Sequence, residues 1–289
     1  MTTSRLALCA IPALLAGCAA PSHPPDMSHG PVADSVIARQ NAMLASNTAG
    51  KGFGPQSPRD IDAVAGNNTR AFSMAPSHTS MNLCNIHFHA NAEHKGGEFS
   101  KYAGNGDGKG SQTGYVYTGQ LSAAERKPLD APVCAGAHGG LVSGDTIEVH
   151  YVHTTSQVTP GPTLGACLSP QILNPQLRVE TQVMVLVNDS NAQNFGTLAQ
   201  HALRNGLHQA PNIPSNMGTP VQYTGSTTGP AYNETASLLH VTWSVRPKVA
   251  KVDIASVGAW CKSNAFNENH AHGARNLVTS PDLLSAIAR

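Results

Sequence analysis

Asn85-Ile86-His87-Phe88-His89-Ala90-Asn91-Ala92-Glu93-His94 is the stretch on which the reading of this chain turns, together with a second one, Thr146-Ile147-Glu148-Val149-His150-Tyr151-Val152-His153. In both, apolar residues alternate with imidazoles or carboxylates, the period of two expected of a β-strand. Alternate side chains of a strand share a face, so His87 and His89 point the same way. Two imidazoles on one pleat need a third ligand from a neighbouring strand to hold an ion. In the second stretch, Glu148, His150 and Val152 share one face while His153 takes the other. His150 is therefore the third candidate ligand. Glu148 is placed to accept an imidazole N–H, which fixes the tautomer and raises the basicity of a ligand. His153 reads as a structural histidine. Three neutral histidines with an open fourth position suit a catalytic zinc ion rather than a structural one. Zinc lowers the pKa of its bound water from about 15.7 to about 7. An apolar pocket beside it would suit a small uncharged electrophile.

Outward from these stretches the texture stays β. Leu177–Val187 and Leu239–Val245 read as further strands, separated by turn clusters such as Gly104–Gly108 and Pro160-Gly161-Pro162. The chain carries 27 Gly and 20 Pro among 289 residues, which favours short strands and many turns over helices. Its 14 histidines form an ample supply of neutral metal ligands. Only 12% of residues are charged and the formal net charge is +1, so no basic face for a nucleic acid is expected. Asn105–Ser111 faintly resembles a calcium loop, but Val116 stands where the closing acidic residue belongs, so a hairpin connection is expected.

The N-terminus reads as a targeting segment. The apolar run Leu6–Leu15 is too short to span a bilayer, and Leu15-Ala16-Gly17-Cys18 resembles the lipobox of bacterial lipoproteins. Residues 1–18 are thus expected to be a lipoprotein-type signal peptide, with an ordinary secretory signal as the alternative. The protein is expected to be exported to a bacterial cell envelope, anchored through a lipid on Cys18 and facing the periplasm. Residues 19–65 read as a flexible tether with a short helix around Val32–Ala45, and residues 66–289 as the folded domain. Cys84, Cys134, Cys167 and Cys261 would remain in an oxidising compartment and predict two disulfides, with three pairings open.

The order of motifs resembles a known family. His87-Phe88-His89 followed by Glu93-His94, and Glu148-x-His150-x-Val152-His153, resemble the α-class carbonic anhydrases. So do Tyr223–Pro230 and the strand Val241-Thr242-Trp243-Ser244-Val245. Met81–His89 and Arg246-Pro247-Lys248 are closer still to the δ-class, known from marine microalgae with bacterial relatives.

The resemblance covers roughly residues 66–289. It implies a mainly β fold, with a central antiparallel-rich sheet like that of the α-class and short peripheral helices. It also implies reversible hydration of carbon dioxide to bicarbonate through a zinc-bound hydroxide. His87, His89 and His150 would bind Zn2+, and Glu148 would orient His150. Thr228, or Thr227, would accept the hydrogen bond of the hydroxide, and Glu93 would take that threonine's proton in a hydrogen bond. Val152, Val241 and Trp243 would line the substrate pocket.

The sequence departs from the family in three respects. The leucine between Ser226 and Thr227 is missing, Gly229 replaces a proline, and Arg70 stands where a proton-shuttle histidine would be. Arginine cannot shuttle protons near neutral pH. His78 and His94 are the other shuttle candidates, His94 reading better as a buried structural residue. Two rival readings differ in class. His87-x-His89-x3-Glu93 fits a first cupin motif with Glu93 as a fourth ligand and iron in place of zinc, but no histidine follows Pro160-Gly161-Pro162 as the second motif requires. The other rival is a non-catalytic, metal-binding envelope lipoprotein.

Overall fold

The computed structural model describes residues 30–228 and 230–288. The signal segment, Cys9 and Cys18 lie outside these residues.

Six strands form the central sheet: β1 (Asn82–Ala90), β2 (Thr146–Thr154), β3 (Leu177–Val187), β4 (Val221–Ser226), β5 (His240–Val245) and β6 (Ala250–Asp253). Their order is β1-β2-β3-β5-β4, with β6 also paired to β3. The β1/β2, β2/β3 and β4/β5 pairs are antiparallel, while β5 and β6 run parallel to β3. The fold is mainly β, with a mixed, antiparallel-rich sheet and three short helices among the described residues. β3 pairs with β5 through Arg178–Thr181 and with β6 through Met184–Val187, so two successive segments share one edge of it. Every residue of β3 is buried, and the continuous apolar run Val183–Val187 in its second half is what a central strand favours.

Parity sorts the side chains into two cores. Ile86, Phe88, Ile147, Val149, Tyr151 and Met184 pack on one face under the helix Ile254–Lys262. Val152, Val179, Val183, Tyr223, Val241 and Trp243 pack on the other. The second face also carries the histidines, because His87 lies opposite His150, and His89 opposite Glu148, in the β1/β2 ladder. Register shifts between Leu83 and Asn85, which sets Cys84 in a bulge. β1 ends where Asn91 takes a left-handed φ of 65°, a conformation Asn tolerates better than most residues.

Two disulfides close the fold, Cys84–Cys167 and Cys134–Cys261. The Gly104–Gly108 turn cluster joins the antiparallel pair Lys101–Tyr102 and Tyr115–Val116, a hairpin connection. The Asp107 carboxylate there accepts the backbone N–H groups of Lys109 and Ser111, so the loop is closed by its own amides rather than set out for a cation.

Over residues 30–65 the tether expectation needs correction. Helix α1 (Asp34–Thr48) buries Gln40, Leu44 and Thr48, and Leu44 packs with Val278, Leu283 and Leu284. Beyond it, Gln56, Ser57 and Arg59 are fully buried. The cause is side-chain hydrogen bonding, which compositional reading does not see. Gln40 Nε2 donates to the Gly108 carbonyl, and Gln56 Nε2 donates to that of Ser237. No described helix is long and apolar enough to cross a membrane.

Candidate metal centre

The ring nitrogens of His87, His89 and His150 come within 4.8 Å of one another. Each ring is fixed by its other nitrogen. His87 Nδ1 donates to Asn85 Oδ1 at 2.5 Å, His89 Nδ1 to the Gly273 carbonyl at 2.9 Å, and His150 Nε2 to Glu148 Oε1 at 2.7 Å. The lone pairs left over are on His87 Nε2, His89 Nε2 and His150 Nδ1, and they face one another. His87 Nε2 and His150 Nδ1 are 3.2 Å apart. Tetrahedral zinc with Zn–N bonds of about 2.0–2.1 Å would set its nitrogens about 3.3 Å apart. His89 Nε2 is buried with no hydrogen-bond partner. A buried acceptor without a donor is costly, and a cation answers three at once. The donor set thus fits a zinc ion.

Charge reinforces the point. Burial, followed by the neighbouring imidazoles, pushes the His87 pKa well below its ordinary value. Burial likewise brings His89 down to about 4. The rings of His87 and His89 are thus held neutral, the form in which they can bind a metal.

Glu148 serves two histidines. Its Oε1 also accepts from His94 Nδ1 at 2.7 Å, and its Oε2 accepts from the backbone N–H of His94 at 3.0 Å. Burial raises its pKa, but the charge and hydrogen bonds of His94 and His150 prevail and hold it well below the carboxylate range. His94 Nε2 lies 2.7 Å from Tyr223 Oη, which lies 3.2 Å from Ser57 Oγ. His94, Glu148 and His150 also cluster closely enough for a metal. The atoms that face one another in that group, Glu148 Oε1, His94 Nδ1 and His150 Nε2, are already joined by hydrogen bonds, so it is a buried network.

Thr228 Oγ1 donates to Glu93 Oε2 at 2.8 Å, and Glu93 Oε1 accepts the backbone N–H of Arg275 at 2.8 Å. Thr227 turns elsewhere, its Oγ1 2.6 Å from Ser237 Oγ. Both oxygens of Glu93 are therefore engaged, and the carboxylate does not stand as a free fourth ligand of the kind a cupin uses. His153 is on the opposite face, buried, its pKa lowered to about 3 by burial and by His78.

A cavity of about 240 Å³ opens on the three histidines. Val152, Val179, Leu177, Val241, Trp243 and Leu164 supply its apolar wall, with Thr227 and Thr228 beside them. Arg70, His78 and His94 do not line it, whereas His272 and Glu268 do. His272 is a pocket residue that the strand pattern does not point to. Its Nε2 is 2.7 Å from Glu268 Oε2, its pKa is raised by that bond, and its ring lies 5.3 Å from His87. The available signal was His270-Ala271-His272, a second His-x-His with Glu268 four residues before its end. Nothing in the sequence indicates that His272 forms a bridge with His89.

Fold and site together define a three-histidine cluster able to hold a metal ion, at the floor of an apolar pocket on a β-sheet. The chain belongs to the delta carbonic anhydrase family, whose model matches residues 78–256. That span holds the three histidines, Glu93, Glu148, Thr228 and the apolar wall, but not Glu268 or His272. No curated protein matches the chain. Among solved structures, Photobacterium profundum alpha-carbonic anhydrase is similar at 14% identity, over 85% of this chain and 94% of that chain, with a TM-score of 0.28. At that score the superposition supports no inference.

Proposed function

We propose that the protein is a zinc-dependent carbonic anhydrase that hydrates carbon dioxide reversibly to bicarbonate. The observation that carries the reading is the convergence of three imidazole lone pairs, each ring locked by a partner on its far nitrogen, beneath an apolar cavity. His87, His89 and His150 would hold the ion, which when bound supplies a Lewis acid able to ionise water near neutral pH.

The chain's own residues do the rest. Glu148 holds the tautomer of His150 and keeps its ligating nitrogen basic. Thr228 commits its proton to Glu93 Oε2, and Glu93 stays an acceptor because its other oxygen holds the Arg275 N–H. The Thr228 lone pairs then accept the O–H of the nucleophile and aim it. Val152, Val241 and Trp243 hold an uncharged substrate and offer it no competing hydrogen bond. A proton finally leaves to solvent or buffer. Membership of the family and the donor set support this reading.

The proposal includes export and attachment through a lipid on Cys18. Two disulfides among the described cysteines fit an oxidising compartment.

Stopped-flow carbon dioxide hydration by residues 19–289, before and after chelation and zinc restoration, tests the reaction. Activity should vanish with the metal and return with zinc. A stoichiometric bound metal without activity would refute the reaction and favour the non-catalytic, metal-binding reading.

A further inference from the structure

The rim of the metal pocket is built in an unusual way. Thr163 and Leu164 belong to the loop Pro160–Cys167 between β2 and β3, and both line the cavity above the histidines. Thr163 is exposed and Leu164 half-buried, while Val152, Val179, Val241 and Trp243 deeper in the wall are buried. These two residues therefore stand at the mouth. Thr163 has φ 59° and ψ 173°, a region suited to glycine and costly for a β-branched residue. Such a conformation persists only where the surroundings over-determine it, and strained residues of this kind cluster at ligand clamps.

The loop that carries Thr163 is anchored on both sides of it, at Gly161 and at Cys167, by β1 and the end of β2. The Cys84 carbonyl accepts the Gly161 N–H at 3.0 Å. Asn85 Nδ2 donates to the Gly161 carbonyl at 3.0 Å. Cys84 is bonded to Cys167 at the far end of the loop, where Thr154 Oγ1 also donates to the Cys167 carbonyl at 2.8 Å. Asn85 is fully buried, and its Oδ1 holds His87. One side chain thus ties a metal-binding candidate to the rim.

We propose that the loop Pro160–Cys167 is the size filter of this pocket. The Cys84–Cys167 disulfide and Asn85 hold Thr163 and Leu164 in a fixed, strained position that admits small molecules to the metal and turns away groups as wide as a phenyl ring. The filter rests on the reading of the triad as a metal site. It does not depend on the reaction catalysed there.

The test uses cobalt(II) in place of zinc and reads the visible spectrum, not activity. Imidazole and 4-phenylimidazole are titrated onto the loaded protein, and the ratio of their Kd values measures the filter. In the unaltered protein the phenyl compound should bind at least tenfold more weakly. The ratio should fall at least tenfold in Leu164→Ala, in Thr163→Gly and in the double variant Cys84→Ser, Cys167→Ser. It should stay unchanged in Cys134→Ser, Cys261→Ser, which removes a disulfide away from the rim. Leu164→Ala and Thr163→Gly keep the test decisive if the Cys84, Cys167 variant fails to fold. Equal binding of the two probes in the unaltered protein, or a ratio that none of the rim variants changes, overturns the filter. Failure of the metal reading looks different, since no tetrahedral cobalt spectrum would form, and it removes the filter as well.

Discussion

Glu148→Gln isolates the part of the site that is most tightly built. Glu148 accepts three N–H groups, His150 Nε2 and His94 Nδ1 on Oε1 and the His94 backbone N–H on Oε2, all fully enclosed. Glutamine keeps the volume and one carbonyl oxygen. With that oxygen at the Oε1 position both imidazoles stay satisfied, and the new NH2 faces the His94 N–H, donor against donor. One buried donor left unmet costs about 1–3 kcal/mol. The flipped amide is worse because it strands two imidazole N–H groups, so the first orientation sets the expected loss of metal-free stability.

Metal affinity should fall separately. A neutral amide supports the basicity of His150 less than a carboxylate does, and changes to such backing groups typically cost roughly 10–100-fold. That range corresponds to about 1.4–2.7 kcal/mol of binding free energy. Competition with a chromophoric chelator gives the zinc Kd, and urea unfolding of the chelated protein gives the stability. A folded variant with unchanged zinc affinity would refute the reasoning, whatever its urea midpoint.

Thr228→Ala should lower kcat/KM by about 100-fold, as loss of an orienting contact does, with zinc affinity unchanged. An equal loss of metal would assign Thr228 to the metal site instead. His153 takes up no proton in the folded protein until about pH 3, while the unfolded chain takes it up near 6.5. Its contribution is therefore complete above pH 6.5 and is lost progressively as pH falls toward 3, on the order of 5 kcal/mol over the full window. Urea unfolding of His153→Gln should accordingly show a shallower acid dependence between pH 7 and 4 than the unaltered protein, and identical slopes would count against it. Leu44→Ala should destabilise the protein by about 2–5 kcal/mol, because the side chain is buried against Val278, Leu283 and Leu284. An unchanged urea midpoint would return α1 to the role of a loose tether.

Parity carried much of what was legible. The alternation places His87 and His89 on one face of their strand, and Glu148 and His150 on one face of theirs, because a strand has a period of two; the β1/β2 register then joins the two faces. β2 and β3 fall where the alternation and the Val-rich run put them. β4 and β6 carry little strand signal of their own, since Val221–Ser226 and Ala250–Asp253 are short, and β6 pairs with a strand remote in sequence.

The same division runs through the site. The residue types able to hold a metal, and the faces they occupy, follow from local geometry and were present in the sequence. The tertiary structure alone decided the rest: which cysteines pair, that Thr228 rather than Thr227 meets Glu93, and that Gly273 locks the His89 ring. It also decided that His272 joins the pocket and that α1 is packed on the body. Each of these is a contact between segments far apart in the chain. Strand periodicity fixes where a side chain points relative to its own backbone, but only the packing of one segment on another fixes what it meets.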